Sequence, residues 1–394
     1  MPKRSRLRPD LRPGSMKIDI CRPCELSDTH VAKWHEFQQA DEGLQNPFLS
    51  VEFARAVDLC RPDARVVVVE DGGDVVAFLP LSITKGSIAR PIAPGFCDLQ
   101  AIVHDPRWEA NLLDVFHRSN LNAYIFDYHL GAQVQSLSGV RRSQNWLIDL
   151  SEGQDAYFGW LEEHHHNFFA KIRRNLRRLQ RATGELEFRY DTASASDLQA
   201  LMRLKSDQCQ RLGWRDISAV TWVRNLVDQL LDTRAPWLTG TMSTLVADGS
   251  VISAEFCLRS RAVLAGWFMA YDVSFEARSP GLVGLYKLIE ALSGTEVRHI
   301  DLGKGVEEFK RHVSNGTIEV AEASITGSRP LGLLVGATSK VSYALRTEYP
   351  TLETKARQYV RQWRQHRSHV SNVMPSKLKA TGAPTAGRVR KPPP

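Results

Sequence analysis

The sequence predicts an α/β protein of two similarly laid-out halves in tandem, each a mixed, mostly antiparallel sheet flanked by helices. Three observations predict it. The 394 residues exceed one ordinary domain and suffice for two cores. Hydrophobic residues at 43% and charged residues at 24% are the balance of a globular chain, which excludes the disordered and fibrous classes. The order helix, helix, hairpin, strand, helix, strand occurs twice, roughly 170 residues apart, with little residue identity between the copies.

The first half is expected over residues 16–150. Residues 1–15 hold three prolines and little to pack, and read as a disordered basic tail, so Met16 is a candidate for the natural start. Ile18 and Ile20 alternate in a first strand. Two helical stretches follow, DTHVAKWHEF and SVEFARAVDLC, the second with Ser50 as cap and Phe53, Val57 and Cys60 at helical spacing. Two β-branched runs flank Asp71-Gly72-Gly73-Asp74, a strong hairpin signal. LQAIVH and AYIFDYHL read as strands, with the helix EANLLDVFHRS between them.

The order restarts in the second half, residues 151–330. One long helix is expected over QDAYFGWLEEHHHNFFAKIRRNLRRLQRA, then the strand LEFRY and two helices, DLQALMRLKSDQCQRLGW and TWVRNLVDQLLDT. A second hairpin turns at Asp248-Gly249-Ser250. The strand RAVLAGWFMAYD, the helix GLVGLYKLIEALSG and the strands VRHIDLG and EVAEASITG complete it. Residues 331–373 read as a helical extension ending in LETKARQYVRQWRQH, and 374–394 as a disordered basic tail.

Charge removes one argument for a function class. The net charge of +7 lies in the tails: residues 1–14 carry five Lys/Arg against one Asp, and 374–394 carry five with no acid. Residues 15–373 are then left at −2, so basicity is no argument for a nucleic-acid-binding domain. No apolar stretch approaches the roughly 20 residues that cross a bilayer, and the basic N-terminus lacks a secretory apolar core. Six cysteines in this length make no disulfide framework, and Cys21-x-x-Cys24 has no second ligand pair, so no metal is expected. The expected compartment is the cytoplasm.

Residues 263–313 carry the most chemistry. The strand to Asp272 leads through VSFEAR to Ser279-Pro280-Gly281, with Ser as N-cap and Pro at the first helical position. The first turn offers the N–H groups of Gly281, Leu282, Val283 and Gly284 at the positive end of the helix dipole, where two glycines let a pyrophosphate approach. Asp301, Gly303, Gly305, Glu307 and Lys310 follow at the C-terminal end of the next strand, where an open α/β layer places its chemistry.

W-F-x-A-Y-D, S-P-G-L and I-D-L-G-x-G-x-E-x-F-K resemble the C-terminal half of the cellulose-biosynthesis-type acyltransferases of the GNAT superfamily. N-P-F-L-S-V-E-F, Cys97-Asp98-Leu99 and L-K-S-D-Q-C-Q-R-L-G are similar as well, so the resemblance spans roughly residues 16–325. It implies two GNAT-like folds in tandem and acyl transfer from acyl-CoA, acetyl or longer, to the amine or hydroxyl of a small-molecule or saccharide acceptor. Strands 263–272 and 297–303 would splay to admit the donor's arm. A main-chain N–H among Phe268, Met269 and Ala270 would hold the thioester oxygen. Arg278, Ser279 and Gly281–Gly284 would hold the pyrophosphate. Asp301, or else Glu255, would take the acceptor's proton. Lys310 would hold an anionic group of acceptor or cofactor. Three positions depart from the family pattern: Val283 ends the phosphate loop, Val306 precedes Glu307 in place of an acid, and Phe309 stands where Tyr is usual.

His164-His165-His166 cannot converge on one ion, since consecutive helical positions point about 100° apart. Lys171–Arg181 is an uninterrupted basic run behind an apolar stripe of Ile172, Leu176 and Leu179. The stretch Lys171–Gly184 also resembles the K-x-x-R-R…G pattern of the Fem-type peptidyl transferases, which implies an alternative donor, aminoacyl-tRNA; otherwise no nucleic-acid partner is expected. A third expectation is a non-catalytic docking protein of an envelope-polysaccharide assembly, touching anionic lipid through helix 352–366 and the tail, at most peripherally.

Overall fold

A computed structural model describes residues 16–214, 216–305 and 307–327. Both basic tails, the extension with helix 352–366, and Val306 lie outside the described residues. The first half contains β1 (Lys17–Cys21), α1 (Asp28–Ala40), α2 (Val51–Cys60), β2 (Ala64–Asp71), β3 (Asp74–Thr84), β4 (Ile88–Pro91), β5 (Val103–His104), α3 (Leu112–Arg118), β6 (Ala123–Leu130) and β7 (Arg141–Asp149). The second contains α4 (Gln154–His164), α5 (His166–Ala182), β8 (Leu186–Thr192), α6 (Ala195–Arg211), α7 (Thr221–Asp232), β9 (Arg234–Ala235), β10 (Leu238–Ala247), β11 (Ser250–Arg259), β12 (Val263–Tyr271), α8 (Pro280–Ala291), β13 (His299–Asp301), α9 (Glu308–Val313) and β14 (Gly316–Thr326).

Local chemistry sets the predicted boundaries. Ser50 Oγ accepts from Phe53 N–H at 3.1 Å and starts α2. The β2–β3 hairpin turns through Gly72 (φ 63°) and Gly73 (φ 93°), backbone that glycine adopts without strain. The second hairpin turns through Asp248 (φ 48°) and Gly249 (φ 76°). The long helix expected after residue 153 breaks instead at His165 (φ −135°), which separates α4 from α5. Of LQAIVH only Val103–His104 is strand.

The strands form one continuous sheet in the order β1-β2-β3-β4-β6-β14-β7-β13-β12-β11-β10-β8. In each half an antiparallel run ends in a parallel pair, β4 with β6 and β12 with β13. The two-fold layout expected from the sequence is thus present. Its unexpected feature is an exchange of last strands: β14, from the end of the second half, pairs with β6, and β7, from the end of the first, pairs with β13. β7 and β14 then pair with each other and join the halves. β7 had no strong sequence signal, because RRSQN is polar and its apolar residues are confined to Trp146–Ile148.

The largest apolar cluster also draws on both halves, uniting Trp34, Phe53 and Phe78 with Leu226, Phe256 and Phe268. Phe96 meets Trp222 edge-on with centroids 5.1 Å apart. Each such buried side chain contributes about 1.5–3 kcal/mol relative to exposure, so the halves are held as one unit.

Candidate active site

β12 and β13 run side by side for only three residues, Val263–Ala265 against His299–Asp301. β13 ends at Asp301 while β12 continues to Tyr271, so the edge of β12 opens from Gly266 onward. On the other side of β12, Asp272 N–H donates to Ile252 O at 2.9 Å, which sets the alternation along β11–β12. Phe268 and Ala270 therefore direct their main-chain groups to β11, whereas Met269 and Tyr271 direct theirs to the open edge. Consistent with this, Met269 O accepts from Lys205 Nζ at 3.0 Å. Of the expected trio Phe268, Met269 and Ala270, only Met269 presents an N–H to the gap; Phe268 and Ala270 face their side chains into the core beside α6.

Glu255 lies at the apex of this gap. It stands opposite Met269 on β11, half-buried, with its carboxylate over Gly266: a Cβ on Gly266 would fall 2.6 Å from Oε1. A glycine inside a strand marks such a close approach. Burial pushes Glu255 from the ordinary carboxylate range up to about 7, against the lowering influence of the Lys310 ammonium and a hydrogen bond from Cys257. A carboxyl so placed exchanges a proton near neutral pH.

Asp301, the expected base, is differently disposed. It is 1% exposed, and its Oδ2 accepts from Asn46 Nδ2 at 2.8 Å. Oδ1 accepts from Asn145 Nδ2 and from Gly303 N–H, both at 2.8 Å. Burial raises its pKa despite these donors. The α1–α2 loop, β7 and its own loop enclose the carboxylate, which ties the two halves together. Lys310 is enclosed as well. Its ammonium, 4% exposed, donates to Gly303 O (3.0 Å), Lys304 O (3.2 Å) and Glu307 Oε2 (3.0 Å). Three donors are matched by three protein acceptors, so Lys310 staples the loop after β13.

That loop is pinned from the first half as well. Lys304 Nζ donates to Cys97 O at 2.6 Å and sits 3.4 Å from Asp127 Oδ1, 3.9 Å from Asp98 Oδ1 and 5.0 Å from the Tyr128 ring centre. Asp98 Oδ2 abuts Gly303, whose own Cβ position is 2.9 Å from Gly266 O. The Cys97-Asp98 segment thus reaches the apex across the seam.

The start of α8 carries less of an anion site than its sequence promised. Pro280 occupies the first helical position as expected, but Ser279 is left-handed (φ 48°, ψ 58°) and makes no side-chain cap. Leu282 and Val283 N–H both donate to Ser279 O, at 3.0 and 3.1 Å. Val283 is fully buried beside Leu179 and Ile252, which makes it a core residue. Gly284 packs toward Ser253. Gly281 remains as the first-turn N–H outside these bonds, with its bare Cα against Met269 and Tyr271. Arg278 ends the short helix before it and is half-buried.

The histidine run does not converge: His164 stacks on Trp160, His166 pairs with Glu162, and His165 faces His312. Among the described residues no group of three metal-ligating side chains occurs. Asn145, Lys304 and Asp127 were not legible as site residues, and Asn46 and Lys205 stood in stretches that carry the resemblance without a role of their own. Gly266 was a further signal, as an interior strand glycine.

Residues 166–311 match the family model of an acetyltransferase (GNAT) domain. Among solved structures, the C-terminal domain of a putative lysylphosphatidylglycerol synthetase from Agrobacterium fabrum is similar at 14% identity, covering 78% of this chain and 95% of that one, with a TM-score of 0.50. FemX is similar at 12% identity, covering 69% and 90%, with a TM-score of 0.49. A tandem GNAT protein from the clavulanic acid biosynthesis pathway is similar at 11%, covering 80% and 100%, with a TM-score of 0.46. No curated protein matches. No helix among the described residues is long and apolar enough to cross a membrane. The fold is GNAT-like, and its second half holds the stretch that matches an acetyltransferase domain.

Proposed function

We propose that the protein transfers an acyl group from acyl-CoA, acetyl or longer, to an amine or hydroxyl of a small-molecule or saccharide acceptor. By its resemblance to the cellulose-biosynthesis-type enzymes, the setting is polysaccharide or cell-envelope biosynthesis, on the cytoplasmic side. The observation that carries this reading is Glu255, a carboxyl titrating near neutrality at the apex of an open strand edge. The residues fit an extended amide arm: Met269 and Tyr271 offer main-chain donors and acceptors along the gap, and Gly281 N–H offers one contact to a phosphate.

Glu255 takes a proton from the acceptor, since an ammonium has no lone pair for attack and a neutral hydroxyl is a weak nucleophile until its proton is drawn away. That lone pair forms the new bond to the thioester carbon, whose π electrons move onto the oxygen held by Met269 N–H. When the carbonyl re-forms, the C–S bond breaks and the departing thiolate is protonated through Glu255; an amine that arrived as ammonium sheds its second proton to solvent as the amide forms. Asp301 and Lys310 keep the loop after β13 in register. Calorimetric titration with CoA and acetyl-CoA tests the reading: one-site binding supports it, and no binding removes it.

One observation favours the Fem-type alternative. Lys171, Arg174, Arg177, Arg178 and Arg181 line the exposed face of α5, and none has an ion pair among the described residues. Their like charges at i, i+3 and i, i+4 repel by about 0.2–0.5 kcal/mol per pair, a cost that a polyphosphate partner would offset. Binding of tRNA whose affinity falls steeply with salt would favour this donor; salt-independent or absent binding excludes it.

A further inference from the structure

Lys205 springs from α6, which covers the face of β12 opposite α8. Gln208 Oε1, one turn along the same helix, accepts from its ammonium at 2.9 Å and steers it to Met269 O at 3.0 Å. This is a long side chain held across the sheet at the open edge, where the neighbouring strand has already ended. The N–H and C=O of Met269 project to the same side. An oxygen accepting from Met269 N–H at about 2.9 Å therefore lies beside an ammonium already in contact with that residue's carbonyl. Glu255 reaches the apex from the α8 face, so the edge is flanked by a proton acceptor on one side and a fixed cation on the other.

We propose that Lys205, together with Met269 N–H, stabilises the negative charge that develops on the acyl carbonyl oxygen of a thioester laid along β12. A charged donor of this kind, fixed in a half-buried site, opposes the developing charge without reorganising at the moment of reaction. The inference rests on the acyl-CoA reading but is separable from it by experiment.

The test is calorimetric titration of the full chain, as wild type, Lys205→Met and Lys205→Arg, with CoA, acetyl-CoA and S-carboxymethyl-CoA. The last carries a carboxylate one bond beyond the position of the acyl carbonyl, so that its oxygens lie within reach of the same donors. For wild type, binding of CoA is expected, with tighter binding of S-carboxymethyl-CoA. In Lys205→Met, affinity for S-carboxymethyl-CoA should fall about tenfold or more while that for CoA stays within about twofold; Lys205→Arg should retain part of the preference. Equal loss for all three ligands would show a merely structural lysine and overturn the proposal. A gain in CoA affinity would show a plug on the strand edge, and overturn it too. If wild type binds none of the three, the acyl-CoA assignment itself fails and the proposal with it. Thermal melting of each variant confirms that it folds.

Discussion

Replacing Glu255 by Gln separates its chemistry from its cost to the fold. The carboxyl is held at about 7 in the folded chain against 4.5 as its ordinary value, a difference of about 2.5 units at about 1.4 kcal/mol each. Between those two values the folded chain keeps a proton that the unfolded chain has lost, so stability falls as pH rises through the window. Glutamine cannot ionise. Its variant should match wild type near pH 4.5 and exceed it by roughly 3 kcal/mol at pH 8. Other groups titrate in this range, notably His129, which burial holds down at about 3 and which adds stability as pH rises through its unfolded value. Those contributions are common to both proteins and cancel in the difference. Urea unfolding of the pair at four pH values gives the curve, and turnover on an accepted acyl donor gives the second readout, expected to drop about 100-fold or more. A stability difference that does not grow with pH would refute the burial argument. A growing difference with undiminished turnover would remove Glu255 as the base.

The remaining expectations follow from the same geometry. Asp301→Asn turns one acceptor into a donor facing Asn46 and should cost about 2–4 kcal/mol in urea unfolding, without shifting the pH–rate profile. A displaced profile would return the base role to Asp301. Lys304→Met removes the cation between Cys97 O and Asp127 and should cost about 3 kcal/mol in the same assay; a cost below about 1 kcal/mol would mean that the seam is held without it. Gly281→Asp puts a carboxylate at the start of α8, with its Cβ 3.4 Å from Met269 Sδ, and should weaken CoA binding about tenfold or more while the helix persists. Unchanged affinity would place the donor's phosphates elsewhere.

Most of the secondary structure and the doubled layout were legible in the chain, because they rest on local chemistry. The glycine turns, the Ser50 cap, the Pro280 start and the apolar periodicities act within a few residues of one another. The site residue types were legible too, since glycines and charges after a strand have few other uses. The partners that surround them were decided only by tertiary structure. Asp301 and Lys310 read as reactive groups, yet Asn46 and Asn145, more than 150 residues away in sequence, close off the first. Three acceptors on its own loop close off the second. Glu255 read as the second choice because nothing in its neighbours along the chain announces that Gly266 and the end of β13 leave it half-buried at an apex. The exchange of β7 and β14 was likewise invisible: a strand's partner depends on which edge is left open in the assembled sheet, not on the strand's own residues. Hydrogen-bond satisfaction and desolvation are properties of the packed whole, and here they separate a carboxyl held by three donors from one left half-buried at a strand edge.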